Sequence, residues 1–286
     1  MNFHAKTILV GILGGLGAFL PVMVQAEEAK AAPSPHTFTP NIALVNNYIF
    51  RGQTQTWNQP ALQGGVDYSH ADGWYAGIWG SNISDRQYAN GAVELDLSLG
   101  YNGKFSLPDW TWTVGAASAF YPGANYSKVV PAGNGSQSYN NVELNGGVGY
   151  KWVAFKLSTS VTDYFGANTK NGYTSDTKWS SYADLTATVP LPEEYFGQNV
   201  TLPLHVGHVN YTAKLAAPAP SGGTNPDWND YKIGIAKGFD SGFNLSLAMT
   251  YADNGKVYDH TLSVKDPNDA RNLGGTHVVL SLAKTF

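Results

Sequence analysis

A period of two governs the chain after Phe38. Val93-Glu94-Leu95-Asp96-Leu97-Ser98-Leu99-Gly100-Tyr101 alternates apolar and polar residues without a fault. Phe243-Asn244-Leu245-Ser246-Leu247-Ala248-Met249-Thr250-Tyr251 and Val153-Ala154-Phe155-Lys156-Leu157-Ser158 do the same. Side chains alternate across a strand, so each segment has one greasy face and one polar or tiny face. About twelve such segments are expected, near 39–50, 60–69, 74–82, 92–101, 110–120, 140–150, 153–163, 179–189, 200–210, 230–239, 243–252 and 275–286. Most have the roughly 9–11 residues that a tilted strand needs to cross a hydrocarbon layer.

The connections alternate in length. Those after even-numbered segments are short, around Ala71-Asp72-Gly73, Lys151-Trp152 and Asp240-Ser241-Gly242. Those after odd-numbered segments are long and polar, as in 122–138, 166–178, 212–229 and 253–274. Outer-membrane barrels have short periplasmic turns and long external loops. A soluble sandwich or lipocalin-like barrel has no reason to sort its loops to two ends. The expected fold is therefore all-β: a single antiparallel up-and-down transmembrane β-barrel of about 12 strands over residues 38–286.

Composition agrees. Charged residues make up 13% of the chain, half the roughly 25% of an average soluble domain. Absence of cysteine excludes a disulfide scaffold. A balance of 17 basic against 21 acidic residues argues against nucleic-acid binding. A mean hydropathy of −0.23 leaves no room for several apolar helical spans. Aromatics fall near segment ends: Tyr48, Phe50, Tyr68, Trp74, Tyr101, Trp110, Trp112, Phe120, Tyr121, Tyr150, Trp152, Trp179, Tyr231, Phe239 and Tyr251. Their amphipathic rings suit the headgroup level, and two girdles are expected.

Both termini carry addresses. Residues 1–26 pair Lys6 with an apolar run from Thr7 to Leu20 and end Val24-Gln25-Ala26, the pattern of a cleaved signal peptide. Residues 27–37 (EEAKAAPSPHT) are expected to be a flexible periplasmic leader. The last segment alternates apolar residues up to Phe286, like the C-terminal signal read by the barrel assembly machinery. Lys284 departs from that pattern and is expected to snorkel.

Small residues dominate the expected inward faces, among them Gly65, Gly77, Gly115, Gly147, Gly149, Gly234, Ala236 and Gly238, which points to a water path. The charges expected to line it are Asp67, Glu94, Asp96, Glu143, Lys156, Asp184 and Lys232. Five acids against two bases imply a weak cation preference, since carboxylate rings attract cations; a merely wet, braced wall is the alternative. Arg51 is expected at the mouth, either paired with the Asp67 wall or solvated in the loop. Loops 122–139 and 253–274 are the candidates for an inward-folding constriction. Of seven histidines, His205 and His208 lie three apart on one segment and face opposite ways, so they cannot chelate one metal. No GxSxG, HExxH or phosphate loop occurs. No enzyme activity, cofactor or metal is expected.

The run Asn47-Tyr48-Ile49-Phe50-Arg51-Gly52, then Pro60 to Tyr68, then Gly73-Trp74-Tyr75-Ala76-Gly77-Ile78-Trp79-Gly80-Ser81-Asn82, resembles the opening of the TorF porin family of Gram-negative outer-membrane proteins. Further matches follow at Glu94-Leu95-Asp96, Phe120-Tyr121-Pro122, Glu143-Leu144, Asp163-Tyr164-Phe165, Asp230 to Gly234 and Lys284-Thr285-Phe286. The resemblance implies an outer-membrane barrel and passive diffusion; it brings no catalytic residues. The expected partners are outer-membrane lipid, the assembly machinery and small hydrophilic solutes, with the oligomeric state left open. A non-conducting structural or surface-recognition barrel is the alternative, and an outer-membrane hydrolase a distant third.

Overall fold

The computed structural model describes residues 34–129, 135–216 and 223–286. The expected signal peptide, 1–26, and most of the leader lie outside the described residues. Twelve strands form a closed barrel: β1 (His36–Val45), β2 (Ala61–His70), β3 (Trp74–Asn82), β4 (Val93–Lys104), β5 (Trp110–Phe120), β6 (Asn141–Tyr150), β7 (Val153–Ser160), β8 (Ser181–Pro190), β9 (Val200–Asn210), β10 (Trp228–Gly238), β11 (Phe243–Ala252) and β12 (Gly275–Thr285). Each pairs antiparallel with its neighbours in sequence. Closure comes from β1, which pairs with β2 on one side (Ala43 opposite Gln63) and β12 on the other (Ala43 opposite Ala283). Closing removes the free edges that would leave backbone N–H and C=O groups unpaired in lipid.

The two ends differ. Connections 71–73, 105–109, 151–152, 191–199 and 239–242 gather at one end with both ends of the barrel chain. Segments 46–60, 83–92, 121–140, 161–180, 211–227 and 253–274 gather at the other. The sorted loop lengths are thus a property of the fold.

Outward side chains are apolar around the whole circumference. Ile42, Leu62, Ile78, Leu97, Val114, Leu144, Leu157, Leu185, Val206, Ile233, Leu247 and Leu280 take one from each strand in turn, and all are exposed. Leu97 is 45% exposed, whereas Glu94 and Glu143, on inward faces, are almost fully buried. A band of this size is far beyond the few hundred Å² that soluble monomers expose. Its rims are aromatic: Trp74, Trp110, Tyr150, Trp152 and Phe243 at the turn end, and Phe120, Trp179, Tyr231 and Tyr251 at the loop end.

Three rings expected in the girdles are elsewhere. Tyr48 and Tyr121 are buried and Phe50 packs beside them, all inside the barrel. The cause for Tyr48 and Phe50, both in loop 46–60, is local. Segment 39–50 was expected as one strand, but β1 stops at Val45. There Asn46 keeps one backbone bond, its N–H donating to Leu280 O at 3.2 Å, and its side chain takes the place of the next ones, donating Nδ2–H to Val278 O at 3.1 Å and accepting from Leu280 N at 2.9 Å. The chain then turns inward. At its other end β1 starts at His36, so His36 and Thr37 lie in the sheet rather than in a leader; they pair with His70 and Ser69. At the closing strand, Phe286 N–H donates to Pro40 O at 3.0 Å, and Lys284 reaches the Ser241 carbonyl while lying 4.7 Å from the centre of the Phe243 ring.

Candidate functional site: a latched hairpin inside the barrel

After Asn46 the chain forms a short hairpin, Ile49–Phe50 paired with Gln53–Thr54. Its two-residue turn is Arg51-Gly52, with φ of 47° and 77°. Positive φ at both positions is what a type I′ turn requires. Glycine accepts this freely, and a Cβ at Gly52 would in addition meet Asp230 Cβ at 2.5 Å and Ala252 Cβ at 2.8 Å. Arginine in the left-handed region costs about 1–2 kcal/mol, so the tip is held there by its contacts.

Those contacts span the interior. Arg51 Nη1 and Nη2 donate to Glu143 Oε1 and Oε2 at 2.9 and 2.7 Å, a two-pronged bond to β6. Nη1 also donates to the Tyr164 hydroxyl at 2.7 Å. The guanidinium lies 4.2 Å from the Tyr182 ring centre on β8 and 4.8 Å from that of Phe50. The Arg51 carbonyl accepts from Trp228 Nε1 on β10 at 2.7 Å. Side-chain exposure is 3% for Arg51 and 2% for Glu143. Planar, forked guanidinium geometry suits both the carboxylate and the flanking rings.

Arg51 is therefore neither solvated nor paired with the Asp67 wall. The partner is Glu143, and the inward-folding segment is 46–60. Loop 253–274 packs on it, with Thr54 N–H donating to Leu273 O at 2.9 Å and Trp57 Nε1 donating to Asp269 Oδ2 at 3.1 Å. Tyr121 and Tyr139 join the same buried cluster as Tyr48.

The seven charges expected on inward faces all lie on the interior side of their strands, opposite in parity to the exposed apolar residues. They fall on two arcs. On the arc from β6 to β10, one register row runs Gly147, Lys156, Asp184, Gly207, Asp230. His205 bridges its two acids, with Nδ1 3.1 Å from Asp184 Oδ1 and Nε2 2.6 Å from Asp230 Oδ1. The Tyr182 hydroxyl donates to Asp230 Oδ2 at 3.0 Å, in space that exists because Gly207 has no side chain. Lys232 stands opposite His205 on the next strand. Leaving His205 aside, this arc sets three acids, Glu143, Asp184 and Asp230, against three bases, Arg51, Lys156 and Lys232. The arc from β2 to β4 carries Asp67, Glu94 and Asp96, with Glu94 accepting from the Tyr121 hydroxyl at 2.9 Å and Asp67 from Asn41 Nδ2 at 3.1 Å.

Sequence reasoning missed His205, Asp230 and Tyr182. Asp230 shares parity with Lys232 two residues on, so the same alternation would have found it. His208 lies on the outer face, 2.8 Å from Asn229 Oδ1. Among the described residues no group of three or more His, Cys, Asp or Glu is placed to hold a metal ion. Below the hairpin part of the inner wall is small: Gly65, Gly77, Ser98, Gly234, Ser246 and Ala248 are all half-buried rather than sealed, while the Tyr75 hydroxyl fills the space at Gly115.

The barrel is similar to solved outer-membrane porins. One is the KdgM porin in complex with disordered oligogalacturonate, at 7% identity over 87% of this chain and 99% of that chain, with a TM-score of 0.47. Another is the NanC porin, at 11% identity over the same shares and the same TM-score of 0.47. The outer membrane protein OpdK from Pseudomonas aeruginosa matches at 13% identity over 80% of this chain and 58% of that one, with a TM-score of 0.37. A comparison with curated protein sequences finds no match. The Gcw_chp profile, described as a bacterial protein of unknown function, matches residues 28–286, and the chain belongs to that family.

Proposed function

We propose that the protein is a passive outer-membrane channel for small hydrophilic solutes, narrowed at its loop end by the hairpin of loop 46–60. The observation that carries this reading is the pairing of a continuous apolar exterior with an interior wall of glycine, serine and alanine. The first suits lipid and the second leaves room for water. Loops face outward from the cell in this reading, residues 1–26 direct export, 27–35 form a periplasmic leader that ends where β1 begins, and the strand ending in Phe286 is read by the assembly machinery. The TorF label and the absence of enzyme activity belong to the same proposal.

The charge distribution supports a weak cation preference. Acids and bases balance on the β6–β10 arc, and Asp67, Glu94 and Asp96 add negative charge on the other. The hairpin also gives weight to a second reading, a non-conducting barrel that recognises a partner through its loops. Purified protein in planar bilayers distinguishes them: defined conductance steps support the channel, and silence from a folded barrel supports the second. A liposome-swelling panel of sugars, amino acids and nitrogen oxyanions then ranks the solutes.

A further inference from the structure

At the turn end of the barrel two histidines stand directly opposite each other: His36 opens β1, and His70, its cross-strand partner, closes β2. Both share parity with the outward residues of their strands, Phe38 on β1 and Val66 on β2. They lie one step beyond the Phe38–Tyr68 ring pair, on the water side of the apolar band. His36 is exposed and His70 half-buried, so ions in solution reach the pair. Directly opposed residues on one face of a sheet hold their Cβ atoms about 4.5–5.5 Å apart. The two imidazole ring centres are 5.0 Å apart, with their planes at 63°. Two imidazoles bonded to one tetrahedral ion at about 2.0–2.1 Å have ring centres separated by about 5 Å. The pair is spaced for chelation without any movement of the sheet.

The ring nitrogens are sorted in the same sense. His36 Nδ1 lies 2.9 Å from the Tyr68 hydroxyl. On His70, Nδ1 accepts from Asp72 N–H at 3.1 Å and lies 3.5 Å from Asp72 Oδ2. Both Nδ1 atoms are thus engaged, and both Nε2 atoms are without a hydrogen-bond partner among the described residues. A neutral imidazole that gives one nitrogen to a metal ion keeps its proton on the other, and that proton needs an acceptor. The Tyr68 oxygen and the Asp72 carboxylate supply one acceptor to each ring. Imidazole suits zinc, copper and nickel, whereas calcium and magnesium call for oxygen ligands. With no third His, Cys, Asp or Glu ligand among the described residues, the remaining coordination positions fall to water.

We propose that His36 and His70 form a two-imidazole site for a divalent transition-metal ion of the zinc–copper class at the turn-end rim, with Asp72 positioning the His70 ring. The site lies on the outer face, so it is independent of the channel reading. The test is a calorimetric titration of the purified, tag-free full chain in phosphatidylcholine nanodiscs with Zn²⁺ and, separately, with Ca²⁺. One Zn²⁺ per chain is expected to bind, with Ca²⁺ at least about a hundredfold weaker. His36→Gln and His70→Gln should each weaken zinc at least about tenfold, with the circular dichroism of the barrel unchanged, and His208→Gln should bind zinc as the wild type does. Bound Cu²⁺ should show two imidazole nitrogens in its electron paramagnetic resonance spectrum, and one in either His36→Gln or His70→Gln. Asp72→Asn should weaken zinc about tenfold while keeping the two-nitrogen spectrum. No stoichiometric zinc binding, equal binding of Ca²⁺, zinc affinity that survives in both histidine variants, or a single-nitrogen Cu²⁺ spectrum in the wild type each overturns the site. Unchanged zinc affinity in Asp72→Asn overturns the role of Asp72.

Discussion

Arg51 and Glu143, 92 residues apart, grip each other through two parallel N–H···O bonds across the interior of the barrel. Removing one partner of a buried pair typically costs about 3–5 kcal/mol, because the other charge is left unpaired. Here that penalty falls on the docking of a hairpin rather than on the barrel, whose ladders do not include residues 46–60. Release also relieves the left-handed strain at Arg51. Arg51→Ala is therefore expected to raise single-channel conductance severalfold without loss of the folded barrel. Glu143→Ala should do the same, and the exchange R51E/E143R should restore part of the wild-type conductance. Unchanged traces in both single variants would remove the latch from the account.

Ion selectivity should divide between the two arcs. Asp184 and Asp230 are engaged by His205 at 3.1 and 2.6 Å, and Glu143 by Arg51. Together with Lys156 and Lys232, which lie near Asp184 and Asp230, these partners oppose the carboxylate fields on this arc. Glu94 and Asp67 accept from neutral groups, a tyrosine hydroxyl and an asparagine amide. Reversal potentials under a salt gradient are expected to show a weak cation preference that falls in E94Q and D67N. An anion preference in the wild type would reject the assignment.

The sheet was legible because its cause is local. Alternation such as Val93 to Tyr101 encodes a strand and its inner face together, and the loop lengths add direction. The hairpin was not, for two reasons. Tyr48-Ile49-Phe50 is β-branched and aromatic, as suited to a strand as the segment before it, and the break depends on the Asn46 side chain taking over ladder bonds at Val278 and Leu280, over 230 residues away. The choice of Glu143 over Asp67 as partner for Arg51 likewise depends on how far the hairpin reaches. Inward glycines announced space but not what fills it: Gly207 accommodates the Tyr182 hydroxyl, and Gly115 that of Tyr75.

Alkali should loosen the loop end first. Burial pushes the Tyr139, Tyr164 and Tyr173 hydroxyls, all in the long loops, up to about 12, from the roughly 10 of an exposed tyrosine. The folded loops hold these protons more tightly than unfolded ones do. Their contribution to stability is thus complete below about pH 10 and is lost as pH rises through about 12. Tyrosinate absorbance should lag that of free tyrosine over this window, and conductance should rise as the loops give way. A titration with every tyrosine ionising near pH 10 would contradict the buried cluster.

Leu97 and Ser98 are neighbours on β4 that face opposite media. Leu97 points outward at 45% exposure, level with Ile78 on the adjacent strand, and Ser98 points inward beside Gly77. A cation on the lipid face near the bilayer midplane costs about 2–4 kcal/mol, whereas lumen substitutions mainly alter selectivity. Leu97→Arg is expected to destabilise the barrel by about that amount in reversible denaturant unfolding from lipid vesicles. Ser98→Arg should cost less than about 1 kcal/mol there and should instead lower cation conductance. In detergent-free water the order would reverse its meaning: a soluble barrel would gain solubility from Leu97→Arg and lose little stability. Equal unfolding free energies for the two variants in lipid would therefore show that the apolar band does not face the membrane.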